Sequence, residues 1–243
     1  MADAGVGPGD RVLEVGAGFG SVTVALAEAG CSVLAVEFDR QLVPALREVV
    51  GGYGDVRVEQ ADAMRADWDV LLEGGTWSMV SNLPYNISVP LVVGLLERVP
   101  RIRRYLVMVQ REVGERLVAG PATEAYGTVS VRVAYRAEAS LVRRIPADVF
   151  WPRPNVDSVA VRLLPHPPPV AVDHDALFRV VDGAFGERRK TMANALRRLG
   201  LGLDEAREVL GAVGVDPSER PERLALAEFA RTTEALLARG WRP

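Results

Sequence analysis

Glu14-Val15-Gly16-Ala17-Gly18-Phe19-Gly20 decides the fold of this 243-residue chain. The apolar run Arg11–Val15 leads straight into these alternating glycines, and Ser21 then opens a helical pattern. Glycine lets the backbone turn sharply and approach a ligand closely, while the start of a helix presents free N–H groups. A strand, a glycine-rich turn and a helix in this order predict the first unit of a parallel sheet with a ligand at its carboxyl edge.

The spacing of the glycines indicates the kind of ligand. The pattern is G-x-G-x-G, whereas the dinucleotide pattern G-x-G-x-x-G would place its last glycine where Ser21 stands. This difference favours S-adenosylmethionine over a cofactor that carries a pyrophosphate. A glycine-rich turn alone is also typical of an ordinary tight turn, so the interpretation depends on the residues that come later in the chain.

Strand and helix patterns alternate on the carboxyl side of this turn as far as about residue 110. The predicted strands are Arg11–Val15, Ser32–Phe38, Val56–Gln60, Ser78–Ser81 and Arg104–Val109. The predicted crossover helices are Val22–Ala29, Gln41–Val50 and Val89–Val99. Thr128–Arg136 and Asp157–Leu164 then alternate with a two-residue period, which predicts an antiparallel strand pair at the end of the sheet. The expected fold is therefore α/β and Rossmann-like.

A proline-rich stretch, Pro165–Pro169, is the clearest boundary in the chain. Proline fixes φ and lacks an N–H donor, so this stretch continues neither a strand nor a helix. Beyond it, helical patterns cover Asp173–Phe185, Thr191–Leu199, Asp204–Val213 and Glu222–Arg239. We therefore expect a ligand-binding domain at residues 1–165 and a small all-α domain at residues 166–243.

Two acidic residues stand at the ends of successive predicted strands. Glu37 ends the second strand, about twenty residues after the glycine turn, where an acid can accept both ribose hydroxyls of an adenosine. Asp62 follows the third strand, where its carboxylate can accept a hydrogen bond from an adenine amine. Either acid alone is also typical of a solvated loop or a helix cap. Together with the glycine turn they predict an adenosine-binding edge.

The stretch Asn82-Leu83-Pro84-Tyr85-Asn86-Ile87-Ser88 follows the fourth strand and indicates the chemistry. The lone pair of the adenine N6 amine is delocalised into the ring, so the amine needs acceptors that draw its hydrogens out of the ring plane. The Asn82 side-chain oxygen and the Leu83 carbonyl can do this without removing a proton. Pro84 fixes the local backbone, and Tyr85 offers a face on which a flipped-out base can stack.

Composition narrows the class of protein. The single cysteine, Cys31, allows neither an internal disulfide nor a multi-thiolate zinc site, and the two histidines, His166 and His174, stand together near the proline-rich stretch. We expect no bound metal. No run is apolar and long enough to span a bilayer, and nothing resembles an export signal, so we expect no membrane association and a cytoplasmic location. The net charge of −3 argues against a strongly basic nucleic-acid binder, although local patches can differ from the average.

Taken together, these motifs resemble those of the KsgA/RsmA family, the small-subunit (16S) ribosomal RNA adenine dimethyltransferases. The resemblance rests on the glycine turn, Glu37, Asp62 and the Asn82–Ser88 string, together with three further stretches. These are Val109-Gln110-Arg111-Glu112, Val149-Phe150-Trp151-Pro152-Arg153-Pro154-Asn155-Val156-Asp157-Ser158 and Arg188-Arg189-Lys190. It implies a class I methyltransferase sheet and the transfer of two methyl groups to each of two neighbouring adenines. These adenines lie in a hairpin loop near the 3′ end of the small-subunit RNA, and the transfer occurs during ribosome assembly.

The resemblance assigns roles to particular residues. The expected catalytic residues are Asn82, Leu83, Pro84, Tyr85 and Phe150, with Phe150 opposite Tyr85 on the target base. The expected S-adenosylmethionine-binding residues are Glu14, Gly16, Gly18, Gly20, Glu37, Asp62 and Asn82. The family pattern usually begins a few dozen residues before the first strand, with a segment that closes over the cofactor, whereas this chain starts almost at the strand. We therefore expect weak cofactor binding by this chain.

Two groups of basic residues are candidates for RNA contacts. The first is Arg98, Arg101, Arg103 and Arg104, and the second is Arg188, Arg189, Lys190, Arg197 and Arg198. Phosphate contacts supply most of the sequence-independent affinity for RNA, and local groups of this size suffice. Arginine runs are also typical of solvated faces, and the resemblance favours the second group. The expected partners are small-subunit ribosomal RNA and the immature small subunit, with the protein acting as a monomer.

Two other functions remain open from the sequence, and a third fails. A large-subunit RNA adenine methyltransferase of the macrolide-resistance type usually has Ile before the proline and Phe after it, where this chain has Leu83 and Tyr85. A non-catalytic assembly factor for the small subunit would not need Asn82 and Tyr85 intact. A nicotinamide-dependent oxidoreductase fails on the glycine spacing and on the absence of a proton-transfer residue in a plausible place.

Overall fold

The computed structural model describes residues 2–186 and 190–243. Its contacts divide the chain into two compact units. The first extends to Val118 and includes Ala137–Pro165, and the second comprises Ala119–Arg136 and His166–Pro243. The expected boundary at Pro165 coincides with a change of unit, but residues 119–136 group with the second unit. The division of function between residues 1–165 and 166–243 stays a prediction.

The first unit is built on a seven-stranded sheet in the order β3-β2-β1-β4-β5-β7-β6. The strands are β1 Arg11–Val15, β2 Ser32–Glu37, β3 Val56–Gln60, β4 Trp77–Asn82, β5 Ile102–Gln110, β6 Ala137–Ile145 and β7 Ser158–Pro165. Strands β1 to β5 are parallel, whereas β7 runs antiparallel to β5 and to β6. The sheet therefore has the predicted Rossmann-like parallel part and the predicted antiparallel end, and β1 and β4 meet where the strand order reverses.

Five α-helices belong to the first unit within the described residues. They are α1 Ser21–Glu28, α2 Val43–Val50, α3 Trp68–Leu71, α4 Ser88–Arg98 and α5 Arg111–Val118. One group of buried side chains includes Val12 and Val33 of the sheet with Leu26 of α1, and another includes Ala35 with Leu46 of α2. Parallel strands buried on both faces need near-continuous apolar sequence, which explains why β1 and β2 were readily predicted.

The second unit is helical. Its helices are α6 Thr128–Arg136, α7 His174–Phe185, α8 Met192–Arg198, α9 Leu203–Ala212 and α10 Leu226–Ala238. They share one apolar core that includes Phe178, Leu196, Leu210 and Phe229. The side chain of Asp173 caps α7 and that of Thr191 caps α8, each accepting a hydrogen bond from a backbone N–H in the first turn.

The prediction of a strand at Thr128–Arg136 is wrong, because this segment is the helix α6. Its alternating valines suit a strand locally, but Val131 and Tyr135, four residues apart, both lie in the helical core of the second unit. This tertiary burial outweighs the β propensity of the segment. The strand that pairs with β7 is instead β6, Ala137–Ile145, which follows α6 directly and carries a register shift between Leu141 and Arg143. The partner strand is thus one segment later than predicted.

Candidate functional site

The glycine turn lies at the carboxyl edge of the sheet, next to the start of the Asn82–Ser88 string. Gly16, Gly18 and Gly20 all have positive φ, which L side chains rarely adopt. A Cβ atom on Gly16 would lie 2.9 Å from Cδ of Pro84, whereas one on Gly18 would meet nothing within 4 Å. Gly16 therefore has to be glycine for two reasons, its backbone conformation and its close packing against Pro84.

Strands β1 and β4 separate towards this edge. Their backbones pair at Val12–Ser78 and Leu13–Met79. Further along, the Val15 N–H donates to Oγ of Ser81 at 2.9 Å. The Ser81 side chain thus takes the place of a backbone partner between the two strands. This point lies where the strand order reverses, which is where open α/β sheets bind ligands.

Glu14 is the next-to-last residue of β1, just before the turn, and is only 2 % exposed. Thr23 of α1 donates its hydroxyl to the Glu14 carboxyl at 2.5 Å, which ties the end of β1 to the start of α1 on either side of the glycines. Burial raises the pKa of Glu14 to about 7, the Thr23 hydrogen bond opposes this shift and nearby Glu37 adds to it. Glu14 thus joins the strand and the helix on either side of the turn, and it is not among the lining residues of the two clefts described below.

A cleft of about 350 Å³ brings together residues from the ends of four strands. It is lined by Val15, Gly16, Val36, Glu37, Phe38, Ala61, Asp62, Ala63, Met64, Pro84, Asn86 and Ile87. Its lining is mostly apolar, with two carboxylates, and its volume is in the range of small-molecule sites. Three of the predicted cofactor residues, Gly16, Glu37 and Asp62, therefore share one cleft. Its shape and chemistry fit an adenosine, with apolar walls for the base and acids for the amine and the ribose hydroxyls.

The two acids of this cleft are held by backbone donors. Glu37 accepts hydrogen bonds from the N–H groups of Gly18 and Asp39, each at 2.8 Å. Asp62 accepts from the Met64 N–H at 2.9 Å and lies 3.7 Å from the Arg65 guanidinium. A carboxylate oxygen has two lone pairs, so each acid is fixed in position and can still accept further hydrogen bonds.

A second, more open cleft of about 460 Å³ adjoins the first. It is lined by Asn82, Leu83, Pro84, Tyr85, Phe150, Trp151, Pro152, Arg153 and Pro154. Pro84 lines both clefts. All five residues predicted to be catalytic therefore line one cleft, directly beside the cleft of Glu37 and Asp62. The Asn82 side chain is exposed and makes no hydrogen bond to any other residue that the structure describes.

The loop between β6 and β7, residues 146–157, supplies the far wall of the second cleft. Asp157 holds both of its ends: its carboxylate accepts from Arg144 at 2.7 Å and from the Ala147 N–H at 3.2 Å. The Asp157 carbonyl accepts from the Arg111 N–H at 3.0 Å. On the opposite wall, the Tyr85 hydroxyl lies 3.5 Å from Oγ of Ser158. The two aromatic residues of the prediction, Tyr85 and Phe150, thus come from separate elements that converge on one cleft.

Several lining residues were missed from the sequence. Phe38 and Met64 form apolar walls of the first cleft, and each follows a predicted acid closely along the chain. The available signal was their position on the carboxyl side of a strand, since Phe38 directly follows β2 and Met64 lies four residues after the end of β3. Asp157 and Trp151 belong to a stretch that carried the resemblance, but no role could be predicted for either. Of the residues predicted to bind the cofactor, Gly18 and Gly20 shape the turn and are not among the lining residues of the first cleft, and Asn82 lines the second cleft.

The first group of predicted RNA-contacting arginines lies away from these clefts. Arg101, Arg103 and Arg104 stand at the amino end of β5, whereas Asn82 pairs with Met108 near its carboxyl end. At about 3.3 Å per residue, roughly 30 Å of chain separates Arg101 from the end of the strand at Gln110. Arg101 donates to the Leu72 carbonyl at 2.9 Å, and Arg104 donates to the Gly5 carbonyl. Arg98, at the end of α4, donates to the Gly94 carbonyl at 3.3 Å.

The second predicted basic group lies in the helical unit. Lys190, Arg197 and Arg198 are exposed, and the two arginines occupy the last turn of α8. Arg188 and Arg189 lie outside the described residues. Within residues 2–186 and 190–243, no group of three or more Asp, Glu, His or Cys side chains is placed to hold a metal ion. Within the same ranges, no helix has the length and apolar character needed to span a membrane.

Comparison with known proteins agrees with this geometry. The family described as ribosomal RNA adenine dimethylase matches residues 1–236. The "Ribosomal RNA small subunit methyltransferase A" of Moorella thermoacetica is 42 % identical over 244 residues, covering 96 % of this chain and 85 % of that protein. A dimethyladenosine transferase from Plasmodium falciparum has a similar structure, with a TM-score of 0.83 at 22 % identity over 99 % of this chain and 94 % of that one. The 23S rRNA methyltransferase ErmE has a TM-score of 0.72 at 23 % identity, over 97 % of this chain and 94 % of its own. These two likenesses show the fold alone.

Proposed function

The chain belongs to the ribosomal RNA adenine dimethylase family, and from this premise we propose that it dimethylates the N6 amines of adjacent adenines in small-subunit ribosomal RNA. The observation that carries the proposal is the meeting of two clefts at Pro84, one suited to an adenosine-bearing cofactor and the other lined by Asn82, Tyr85 and Phe150. A methyl donor in the first cleft and an adenine in the second would be neighbours. The target adenines are two that stand side by side in a hairpin loop near the 3′ end of that RNA.

S-adenosylmethionine, when bound, supplies an electrophilic methyl group on a positively charged sulfur. Glu37 would accept the ribose hydroxyls, Asp62 the adenine amine, and Phe38 and Met64 would bound the base. The absence of a side chain at Gly16 lets Pro84 pack closely against the glycine turn, so that both residues line the cofactor cleft. None of these residues exchanges a proton; they bind and orient.

The second cleft activates and positions the acceptor amine. The side-chain oxygen of Asn82 and the carbonyl of Leu83 accept the two amine hydrogens, which restores nucleophilic character to the nitrogen lone pair. Because the Asn82 side chain is exposed and has no partner among the described residues, it can accept such a bond without breaking another. Catalysis of this kind is positioning combined with fixed dipoles: the N–C bond forms as the S–CH3 bond breaks, and the methylated nitrogen then loses a proton to water, so that no ionised base is needed.

Tyr85 and Phe150 hold the target base from its two faces. Tyr85 is 40 % exposed, which leaves one face of the ring open to a base that has been turned out of the RNA loop. The Tyr85 hydroxyl lies next to the Ser158 hydroxyl, which anchors the far end of the ring at β7. Stacking between aromatic rings excludes water and orders the amine relative to the methyl donor.

RNA binding would draw on local basic groups, since the chain as a whole has a net charge of −3. We propose that Lys190, Arg197 and Arg198 bind phosphates, together with Arg188 and Arg189. Arg101 and Arg104 have structural partners at the amino edge of the sheet, which favours a role in folding for these two residues. The proposed partner is the immature small subunit, bound by a monomer in the cytoplasm during ribosome assembly.

Two alternatives differ from this proposal in their products. A macrolide-resistance enzyme would methylate large-subunit RNA, and a non-catalytic assembly factor would bind the small subunit without methylating it. The exposed Asn82 inside an intact cleft favours an active enzyme, and Leu83 and Tyr85 in the string favour the small-subunit branch.

The test is methyl transfer from radiolabelled S-adenosylmethionine to small subunits that lack the modification. We expect dimethyladenosine in the small-subunit RNA, abolished by Asn82→Ala and retained by Asn155→Ala, an exposed asparagine that lines neither cleft. Label in large-subunit RNA would favour the macrolide-resistance alternative. Binding of small subunits without label would favour the assembly factor.

A further inference from the structure

Trp151 is almost completely exposed, with 98 % of its surface accessible, yet it lines the proposed base cleft. Tryptophan is usually largely buried, because its large apolar surface is costly to hydrate. The other three tryptophans, all in the described part of the chain, are buried or half-buried. This residue therefore presents a free aromatic face at the entrance of the cleft.

The loop that carries Trp151 is constrained and not merely exposed. Pro152 and Pro154 restrict its backbone on the carboxyl side, and Pro146 does so on the amino side. Asp157 fastens the loop through Arg144 and the Ala147 N–H. An aromatic ring held on such a loop loses little conformational freedom when it stacks on a ligand.

The residues that line the cleft near Trp151 indicate what its indole ring contacts. Arg153, two residues further on, is exposed and lines the same cleft, so a cationic side chain and the free indole share one cleft. Single-stranded nucleic acids are bound by this pairing of aromatic faces for bases and basic side chains for phosphates. Phe150 has an extended backbone, and successive side chains of an extended chain point in opposite directions. Phe150 and Trp151 are thus suited to contact two different bases.

We propose that Trp151 stacks on the nucleobase next to the target adenine in the RNA strand, and so positions the RNA for methylation. The inference rests on the proposed function, because it names a contact of the same substrate. Trp151 acts through the position of the strand and contacts neither the target amine nor the methyl donor.

The first measurement is the indole fluorescence of Trp151. A hairpin RNA with two adjacent loop adenines is titrated into the wild-type protein and into Trp151→Phe. Stacking should quench the exposed indole, so we expect a loss of emission in the wild type that is absent from Trp151→Phe. Equal changes in both proteins would overturn the proposal.

The second measurement separates binding from chemistry in methylation of unmodified small subunits. Stacking by Trp151 should stabilise the bound RNA and the transition state equally. Trp151→Ala should therefore raise KM for the subunit and leave kcat and KM for S-adenosylmethionine nearly unchanged. From the strength of base–aromatic stacking, the rise should be at least about fivefold. Trp151→Phe should restore most of the affinity, and Val156→Ala, an exposed apolar residue of the same loop, should behave as wild type.

The two proposals fail in different ways. If wild type methylates small subunits and Trp151→Ala has the kinetics of Val156→Ala, the stacking proposal is wrong and the proposed function stands. If wild type methylates no small subunits, the proposed function fails, and the fluorescence titration still decides whether Trp151 stacks on RNA. Circular dichroism of each variant excludes misfolding, which the exposure of Trp151 makes unexpected.

Discussion

Glu14 is a buried acid whose ionisation opposes folding. Its pKa is raised from 4.5 to about 7 in the folded chain. Below pH 4.5 both the folded and the unfolded states hold the proton, so there is no penalty. As pH rises towards 7 the unfolded state ionises first and stability falls, and above 7 the loss is constant at about 3 kcal/mol at most.

We therefore predict that Glu14→Gln, which can keep the hydrogen bond to Thr23, makes the protein more stable above pH 7 and has little effect near pH 4.5. The measurement is urea unfolding of both proteins between pH 4.5 and 8. The exposed residue Glu48 provides the control, since Glu48→Gln should not change the pH dependence. A difference between wild type and Glu14→Gln that does not vary with pH would contradict the assignment of this effect to the Glu14 carboxyl.

Alanine substitutions at Gly16 and Gly18 distinguish the cost of backbone strain from the cost of a steric clash. Both have positive φ, so alanine is strained at each, at a cost of about 1–2 kcal/mol. At Gly16 the new methyl group would also meet Pro84 at 2.9 Å, whereas at Gly18 it meets open space. We predict that Gly16→Ala lowers the free energy of unfolding clearly more than Gly18→Ala does, measured without cofactor. Equal losses would show that Pro84 moves aside.

Among the secondary-structure elements, the parallel strands and the glycine turn could be predicted because their signals are local. Strands β1 and β2 are mostly apolar, and the glycine spacing requires no knowledge of distant residues. Helix α6 could not be predicted, since its valines alternate as in a strand and only the core around Val131 and Tyr135 makes it helical. Strand β6, with the sequence Ala-Glu-Ala-Ser-Leu-Val-Arg-Arg-Ile, has weak alternation because it is a sheet edge with a register shift.

The loop between β6 and β7 is the element most open to a direct test. Asp157 fastens it, and the Arg144 hydrogen bond holds the pKa of Asp157 below its ordinary value, so the carboxylate stays ionised throughout the neutral range. We predict that Asp157→Asn lowers kcat/KM for RNA methylation several-fold, because Phe150 loses its fixed position, while Tm and S-adenosylmethionine affinity change little. Asp148→Asn, an exposed acid of the same loop, is the matched control. A parallel loss of cofactor affinity would instead indicate general disruption of the first unit.

On the scale of the whole molecule, the motifs of the site could be predicted from the sequence, but which motifs lie next to each other in space could not. That Pro84 lines both clefts, and that residues 150–154 face Asn82, results from how β4, β5 and β7 pair, which no local pattern encodes. The grouping of arginines near residue 100 likewise does not reveal from the sequence alone at which edge of the sheet these residues lie. Residues close in sequence at the amino end of β5 are far from the carboxyl edge where the chemistry is expected.

The distribution of charge over the molecule gives the last prediction. An acidic chain binds RNA through local groups of cations. Plotted as the logarithm of the binding constant against the logarithm of salt concentration, binding to single strands loses roughly 0.7 in slope for each phosphate-binding cation that is removed. Replacing Lys190, Arg197 and Arg198 together by glutamine should therefore weaken binding of small subunits and reduce that slope by about 2. Arg98→Gln with Arg103→Gln, two arginines near the amino end of β5, should leave binding and slope unchanged. Titrations across a range of salt concentrations measure both quantities, and the reverse result would move the RNA-binding surface to the amino edge of the sheet. S-adenosylmethionine affinity should be the same in both variants, because neither changes a residue of the cofactor cleft.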